Sequence, residues 1–109
     1  MAEQGIIEEL EECIVDWAHE RGIMAQSDPQ AQIGKTLEEV AELFQAIRGA
    51  DLPAVEDGVG DIVVTLIIIS HMFELNLQAC LSHAWNEIKD RKGRMNGGVF
   101  EKEGEDGTQ

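Results

Sequence analysis

The sequence predicts an all-α fold, four helices packed as a bundle, on three observations. Apolar residues recur at three- and four-residue steps through most of the 109 residues. The breaks between these stretches carry helix-stop and helix-start chemistry, glycine on one side and proline on the other. The most apolar stretch continues from Ile62 to Leu75 without a turn signal, long for a strand and ordinary for a helix.

The first predicted helix places Ile6, Ile7, Leu10, Cys13, Ile14, Trp17 and Ala18 at helical spacing, with glutamates and Asp16 filling the other side, and ends near Gly22. Residues 23 to 31, with Ser27-Asp28-Pro29-Gln30, read as a connection into a second helix over about 32 to 48. Gly49-Ala50-Asp51-Leu52-Pro53 then breaks the pattern, and a third helix starts near Pro53. Its core, Ile62 to Ile69, is rich in β-branched residues and taken alone reads equally well as a buried strand. The length of the apolar stretch decides for helix, central or at a subunit contact because no face is polar. Leu77, Leu81, Ala84, Trp85 and Ile88 define a fourth helix, with Asn76 as N-cap and Gly93 as stop. Residues 1–100 are expected to form one domain, since two halves of so short a chain would each lack a sufficient core. Residues 101–109 are expected to be a mobile acidic tail.

A formal net charge of −14 speaks against nucleic acid or an anionic membrane as direct partners, because that field repels phosphate backbones unless a metal or a local basic patch intervenes. Cys13 and Cys80 lie far apart among apolar residues and are expected to be reduced core thiols. The N-terminal residues lack the basic and apolar regions of a signal peptide, and the longest apolar run is too short to cross a bilayer, so a cytoplasmic location is expected.

Chemistry concentrates in Glu38, Glu39, Glu42 and Asp61. On a helix Glu38 and Glu42 stand one turn apart and Glu39 and Glu42 are neighbours, so three carboxylates come within reach of one hard cation. Taken alone, that helix reads more readily as a solvated face, with Leu37, Val40, Phe44 and Ile47 as its core side. Asp61, at the mouth of the apolar helix with Asp57 one turn earlier, shifts the balance toward a metal site. Gly58 and Gly60 weaken that helix, which fits a close approach of backbone, metal or another helix. Half of the eight Lys and Arg residues, Lys89, Arg91, Lys92 and Arg94, fall within six positions and run past the predicted helix stop, more than a helix dipole calls for. They read as a phosphate grip. Trp17 and Trp85 read as core, and the three histidines receive no role.

These residues resemble the MazG-like, all-α nucleoside triphosphate pyrophosphohydrolases. The resemblance is carried by Gln32-x-x-Lys35-x-x-Glu38-Glu39-x-x-Glu42-Leu43, by Gly60-Asp61 leading an apolar helix, by Glu87-Ile88-Lys89-x-Arg91-x-Gly93-Arg94, and by Gly98-Val99-Phe100. It implies magnesium-dependent hydrolysis of a (d)NTP to the monophosphate and pyrophosphate. Separately, so apolar a third helix in so small a chain is expected to find partners across a subunit interface, completing the bundle as a homodimer or homotetramer. Manganese is a candidate substitute metal. Glu39, Glu42 and Asp61 match metal ligands of the family pattern, and Glu38 matches the additional acid of the first motif and the first candidate for handling the proton of the attacking water. Lys35, Lys89, Arg91 and Arg94 match positions suited to phosphate, and Trp17 and Gln32 are the candidates for the base. The second motif of the family is Glu-x-x-Asp, whereas this chain has Gly58 at the glutamate position with Asp57 and Glu56 only nearby, so that either Asp57 substitutes from the preceding position or the site holds fewer ions. Two other readings stay open at this point: an acidic helical dimeric interaction module, and a family member that senses nucleotide without catalysis.

Overall fold

The structure, a computed structural model, describes residues 2–104. Five helices and one hairpin follow in order: α1 (Ala2–Glu20), α2 (Ile23–Gln26), α3 (Pro29–Arg48), α4 (Leu52–Met72), α5 (Leu77–Ile88), β1 (Gly93–Asn96) and β2 (Val99–Lys102). The helical class and the four main helices agree with the sequence expectation. The chain divides into two compact units, Met1–Gln78 and Ala79–Gln109, taken in turn below.

Helix starts follow their capping chemistry. Asp28 accepts the Ala31 N–H at 2.8 Å and Pro29 takes the first helical position, so α3 begins three residues before the predicted start at 32. Asp51 does the same for α4, accepting from the Ala54 N–H at 3.2 Å, with Pro53 in the first turn. The predicted connection from 23 to 31 contains the single-turn helix α2. At the end of α3 the left-handed residue is Ala50, with φ 52°, rather than Gly49, which keeps right-handed helical geometry. The Asp51 N–H reaches back to the Ala46 carbonyl at 3.1 Å and closes that turn. α4 ends in the same way, with Glu74 left-handed and the Leu75 N–H on the Ser70 carbonyl at 2.8 Å. That turn stops the helix at Met72, short of the predicted Leu75.

Within the first unit α4 is the shared neighbour of α3 and α1. α3 and α4 run antiparallel, Thr36 meeting Thr65 and Leu43 meeting Gly58. Gly58 is buried, and a Cβ there would stand 3.2 Å from both Cβ and Cδ1 of Leu43, so the absence of a side chain lets the two helices close up. Among the described residues the buried apolar side chains are few: Ala18, Ala46, Ile67 and Ile68. α1 is tied to the end of α4 through a polar contact. The buried Glu11 carboxylate accepts the Leu77 N–H at 2.8 Å and meets His71 Nε2 at 2.9 Å.

The second unit holds most of α5 and the antiparallel hairpin, in register Gly93↔Lys102 to Asn96↔Val99. Its two-residue loop, Gly97-Gly98, has φ of 61° and 86°, the pair of left-handed conformations that a tight hairpin requires. The hairpin corrects two sequence expectations: Gly93 opens β1 rather than stopping α5, which ends at Ile88, and Glu101 and Lys102 belong to β2. The remainder of the expected mobile tail, 105–109, lies outside the described residues.

Both cysteines are free, as expected, but exposed rather than in the core. Trp17 and Trp85, expected in the core, are exposed as well. Among the described residues, no helix is long and apolar enough to cross a membrane.

Candidate functional site

The face of α3 that docks on α4 carries Thr36, Leu43 and one of the three carboxylates, Glu39, whereas Glu38 and Glu42 are exposed. Glu39 is buried at 8 % exposure, whereas Leu37, Val40, Phe44 and Ile47, expected as the core side, are 44–64 % exposed. The amphipathic pattern correctly finds two faces on this helix. It misassigns which one α4 covers, because the contact is made by Thr36, Leu43, Ala46 and the carboxylate rather than by the most apolar stripe.

Glu39 is only half satisfied. Its Oε2 lies 3.4 Å from Lys35 Nζ, while Oε1 is buried with no hydrogen-bond partner. An ionised oxygen in that position calls for a cation or a proton. Glu38, exposed on the same turn, lies 3.7 Å from the same ammonium. The antiparallel register sets Glu39 across from the turn of α4 that contains Asp61. Asp61 is held above the ordinary carboxylate range, first by partial desolvation, then by the like charges of Asp57 and Glu39, with Lys35 opposing. Lys35 is correspondingly raised, chiefly by its contact with Glu39, then by Glu38 and, more weakly, by Glu42. The carboxylates thus feel one another across the α3–α4 seam.

Fixed geometry at this seam comes from two hydroxyls. Thr36 and Thr65 meet at 2.7 Å in a buried contact, one turn before Glu39 and one turn after Asp61. Each also reaches a carbonyl of its own helix, Gln32 for Thr36 at 3.0 Å and Ile62 for Thr65 at 2.7 Å. Two hydroxyl protons cannot serve all three contacts at once, so the hydroxyls share them between the two carbonyls and each other.

The remaining candidates are more dispersed. Glu42, Asp57 and Asp61 are exposed, and among the described residues no three acidic, histidine or cysteine side chains are drawn together tightly enough to hold a metal ion. Gln32 is engaged, donating to Ser27 Oγ at 3.1 Å, and Trp17 has the Arg21 guanidinium 5.8 Å from its ring centroid. Lys89, Arg91 and Arg94 follow α5 in the second unit. There Lys92, Arg94 and Lys102 line an open groove of about 730 Å³ beside Glu101 and Glu103.

Comparison with known proteins matches the model of the MazG nucleotide pyrophosphohydrolase domain over residues 27–95, more than half of the chain. The chain belongs to the MazG family. A relative from Haemophilus phage HP1 (strain HP1c1), described as an uncharacterized 18.2 kDa protein in the rep-hol intergenic region, is 30% identical over 64 residues. That stretch covers 59% of this chain and 39% of the relative, so the MazG chain matches well under half of that protein's length. No solved structure matches.

Within this MazG chain the departure at Gly58 has a steric counterpart. Position 58 faces Leu43 at contact distance, so a glutamate there would push α3 away. Two buried polar groupings were not legible beforehand. The Thr36–Thr65 pair carries no local signal, since both residues are unremarkable in a helix. Glu11 does carry one, because it interrupts the stripe Ile7, Ile14, Ala18 at the step where an apolar residue belongs.

Proposed function

We propose that this MazG-family chain is a magnesium-dependent nucleoside triphosphate pyrophosphohydrolase, which takes a (d)NTP and water to the (d)NMP and pyrophosphate. The reading is carried by one observation: the buried Glu39 carboxylate, with an oxygen lacking any donor, set across the α3–α4 seam from Asp61. Glu39, Glu42 and Asp61 would hold the magnesium ion, with Asp57 supplying a carboxylate near the vacated Gly58 position and manganese able to substitute. When bound, the ion supplies neutralisation of the triphosphate and a polarised water. Glu38, exposed beside Glu39, would accept the proton of the attacking water or position it. Lys35 would balance phosphate charge beside the carboxylates, and the family pattern assigns the departing pyrophosphate to Lys89, Arg91 and Arg94, from this chain or another subunit. Trp17 and Gln32 form the base side of the reading. A nucleotide pool is its natural setting, which agrees with a cytoplasmic protein.

The reading includes a homodimer or homotetramer. Ile33, Leu37, Val40, Phe44 and Ile47 follow a four-three-four-three spacing along α3 and are all exposed, the seam of a helix that packs on another helix. Gly34 and Ala41 flank the seam and keep its edge low. In the second unit no described residue is buried, and a piece of that size needs a cover for Leu81, Trp85 and Ile88. A second copy of the chain supplies apolar surface of the same kind.

Pyrophosphate release from a panel of nucleotides, with and without magnesium, tests the reading. Outer partners of metal ligands cost about 10–100-fold when removed. Glu42→Gln should therefore lose on the order of a hundredfold or more in turnover with its far-ultraviolet circular dichroism unchanged. Near-normal turnover of that variant would remove Glu42 from the site. A second reading, a nucleotide sensor without catalysis, is favoured by Gly58 at the motif position and by the dispersed acids. Its signature is thermal stabilisation by nucleotide and metal together with no pyrophosphate release.

A further inference from the structure

The cation set among the carboxylates is one of the chain's own. Lys35 Nζ lies 3.4 Å from Glu39 Oε2 and 3.7 Å from Glu38 Oε1, and its charge also acts on Asp61. As an ordinary surface pair this would be unremarkable, since exposed i,i+4 contacts contribute little. The lysine moreover precedes its acids, the weaker orientation on a helix. What makes it unlike a surface pair is the partner. Glu39 retains 8 % exposure and its other oxygen is buried without a donor, so the lysine meets half of a demand that the fold leaves open. Lys35 itself is long, flexible and 53% exposed along its side chain, free to leave without disturbing packing.

We propose that Lys35 is a built-in counter-ion of the metal-free site, displaced from Glu39 by the divalent cation and thereby released toward the triphosphate. This deepens, and rests on, the reading of the site as a cation-dependent hydrolase. Two cations that compete for one carboxylate each weaken the binding of the other by the same factor. Lys35 therefore lowers the affinity of the nucleotide-free protein for metal and keeps the carboxylates from repelling one another while they wait. Once metal arrives with a nucleotide, the freed ammonium gains phosphate oxygens in place of the carboxylate. Metal binding and substrate binding are coupled through a single side chain.

The test measures Mn²⁺ affinity of the full chain without nucleotide, by the loss of the free-ion electron paramagnetic resonance signal, for the wild type, Lys35→Met and Lys35→Ala. Methionine keeps the aliphatic stem, and thermal unfolding checks that each variant is folded. Removal of the internal competitor should tighten Mn²⁺ binding on the order of fivefold, near the lower end of couplings between two ligands. The gain should persist in high salt, because contact competition is screened far less than a distant field. With Mn²⁺ bound, both variants should bind a non-hydrolysable triphosphate more weakly than the wild type. If the wild type binds Mn²⁺ and neither variant binds it more tightly, the counter-ion role is overturned and the metal site stands. A gain that disappears in high salt overturns it equally, since Lys35 would then act only through the general field. If no form binds Mn²⁺, the metal reading and this inference fall together.

Discussion

At the scale of single residues the candidate site is a set of mismatched environments. Glu39 is buried with an oxygen unsatisfied, whereas Asp61 is more open yet electrostatically disfavoured in its charged form by desolvation, Asp57 and Glu39. A carboxyl raised above its unfolded value carries no penalty while it is protonated in both states. The cost appears as pH rises through the raised value and is full at neutral pH. In chelator, Asp61→Asn should therefore melt slightly higher than the wild type at pH 7, with the difference shrinking as pH falls toward 4. Equal melting temperatures at pH 7 would show that Asp61 bears no strain. The motif residues were legible beforehand as a group, because Glu-Glu-x-x-Glu on a helix gathers charge by spacing alone. Their individual states were not: that Glu39 is the buried one depends on a neighbour more than twenty residues away.

At the scale of elements, α3 and α4 form the platform, and the bond between them is polar as much as apolar. Thr36–Thr65 sets their register one turn from Glu39 and Asp61, and Gly58 against Leu43 sets their separation. Thr65→Val removes one hydroxyl and leaves Thr36 without its cross-helix partner. Thr36 keeps the Gln32 carbonyl, so the expected loss in unfolding free energy is that of one hydrogen bond, about 0.5–1.5 kcal/mol. Chemical denaturation measures it, and a change within error would mean that the pair is not a structural tie. The starts of these helices were readable from Asp28-Pro29 and Asp51-Leu52-Pro53, whereas the stop of α4 at Met72 was not. The hairpin was overlooked although Asn96-Gly97-Gly98 is hairpin-turn chemistry, because the strands beside it are only four residues long and too short for alternation to show.

At the scale of the whole molecule, the distribution of apolar surface outweighs any single contact. Among the described residues four apolar side chains are buried, while every large apolar side chain of the α3 stripe is exposed. If a second copy covers that stripe, Leu37→Glu together with Phe44→Glu should convert the assembly to a monomer, read by sedimentation at micromolar concentration. A wild-type chain that sediments as a monomer would overturn the oligomeric reading without touching the hydrolytic one.

The sequence by itself determined the helical class, the four main helices and, through three motif blocks in order, the family, because periodicity and spacing are properties of neighbouring residues. Tertiary structure alone decided that Glu39, unlike Glu38 and Glu42, is buried against α4 and that Leu37, Phe44 and Ile47 stay outside. It also decided that Glu11 ties α1 to the end of α4. An amphipathic pattern states that a helix has two faces, and only the helix that comes to lie against it selects which face is buried.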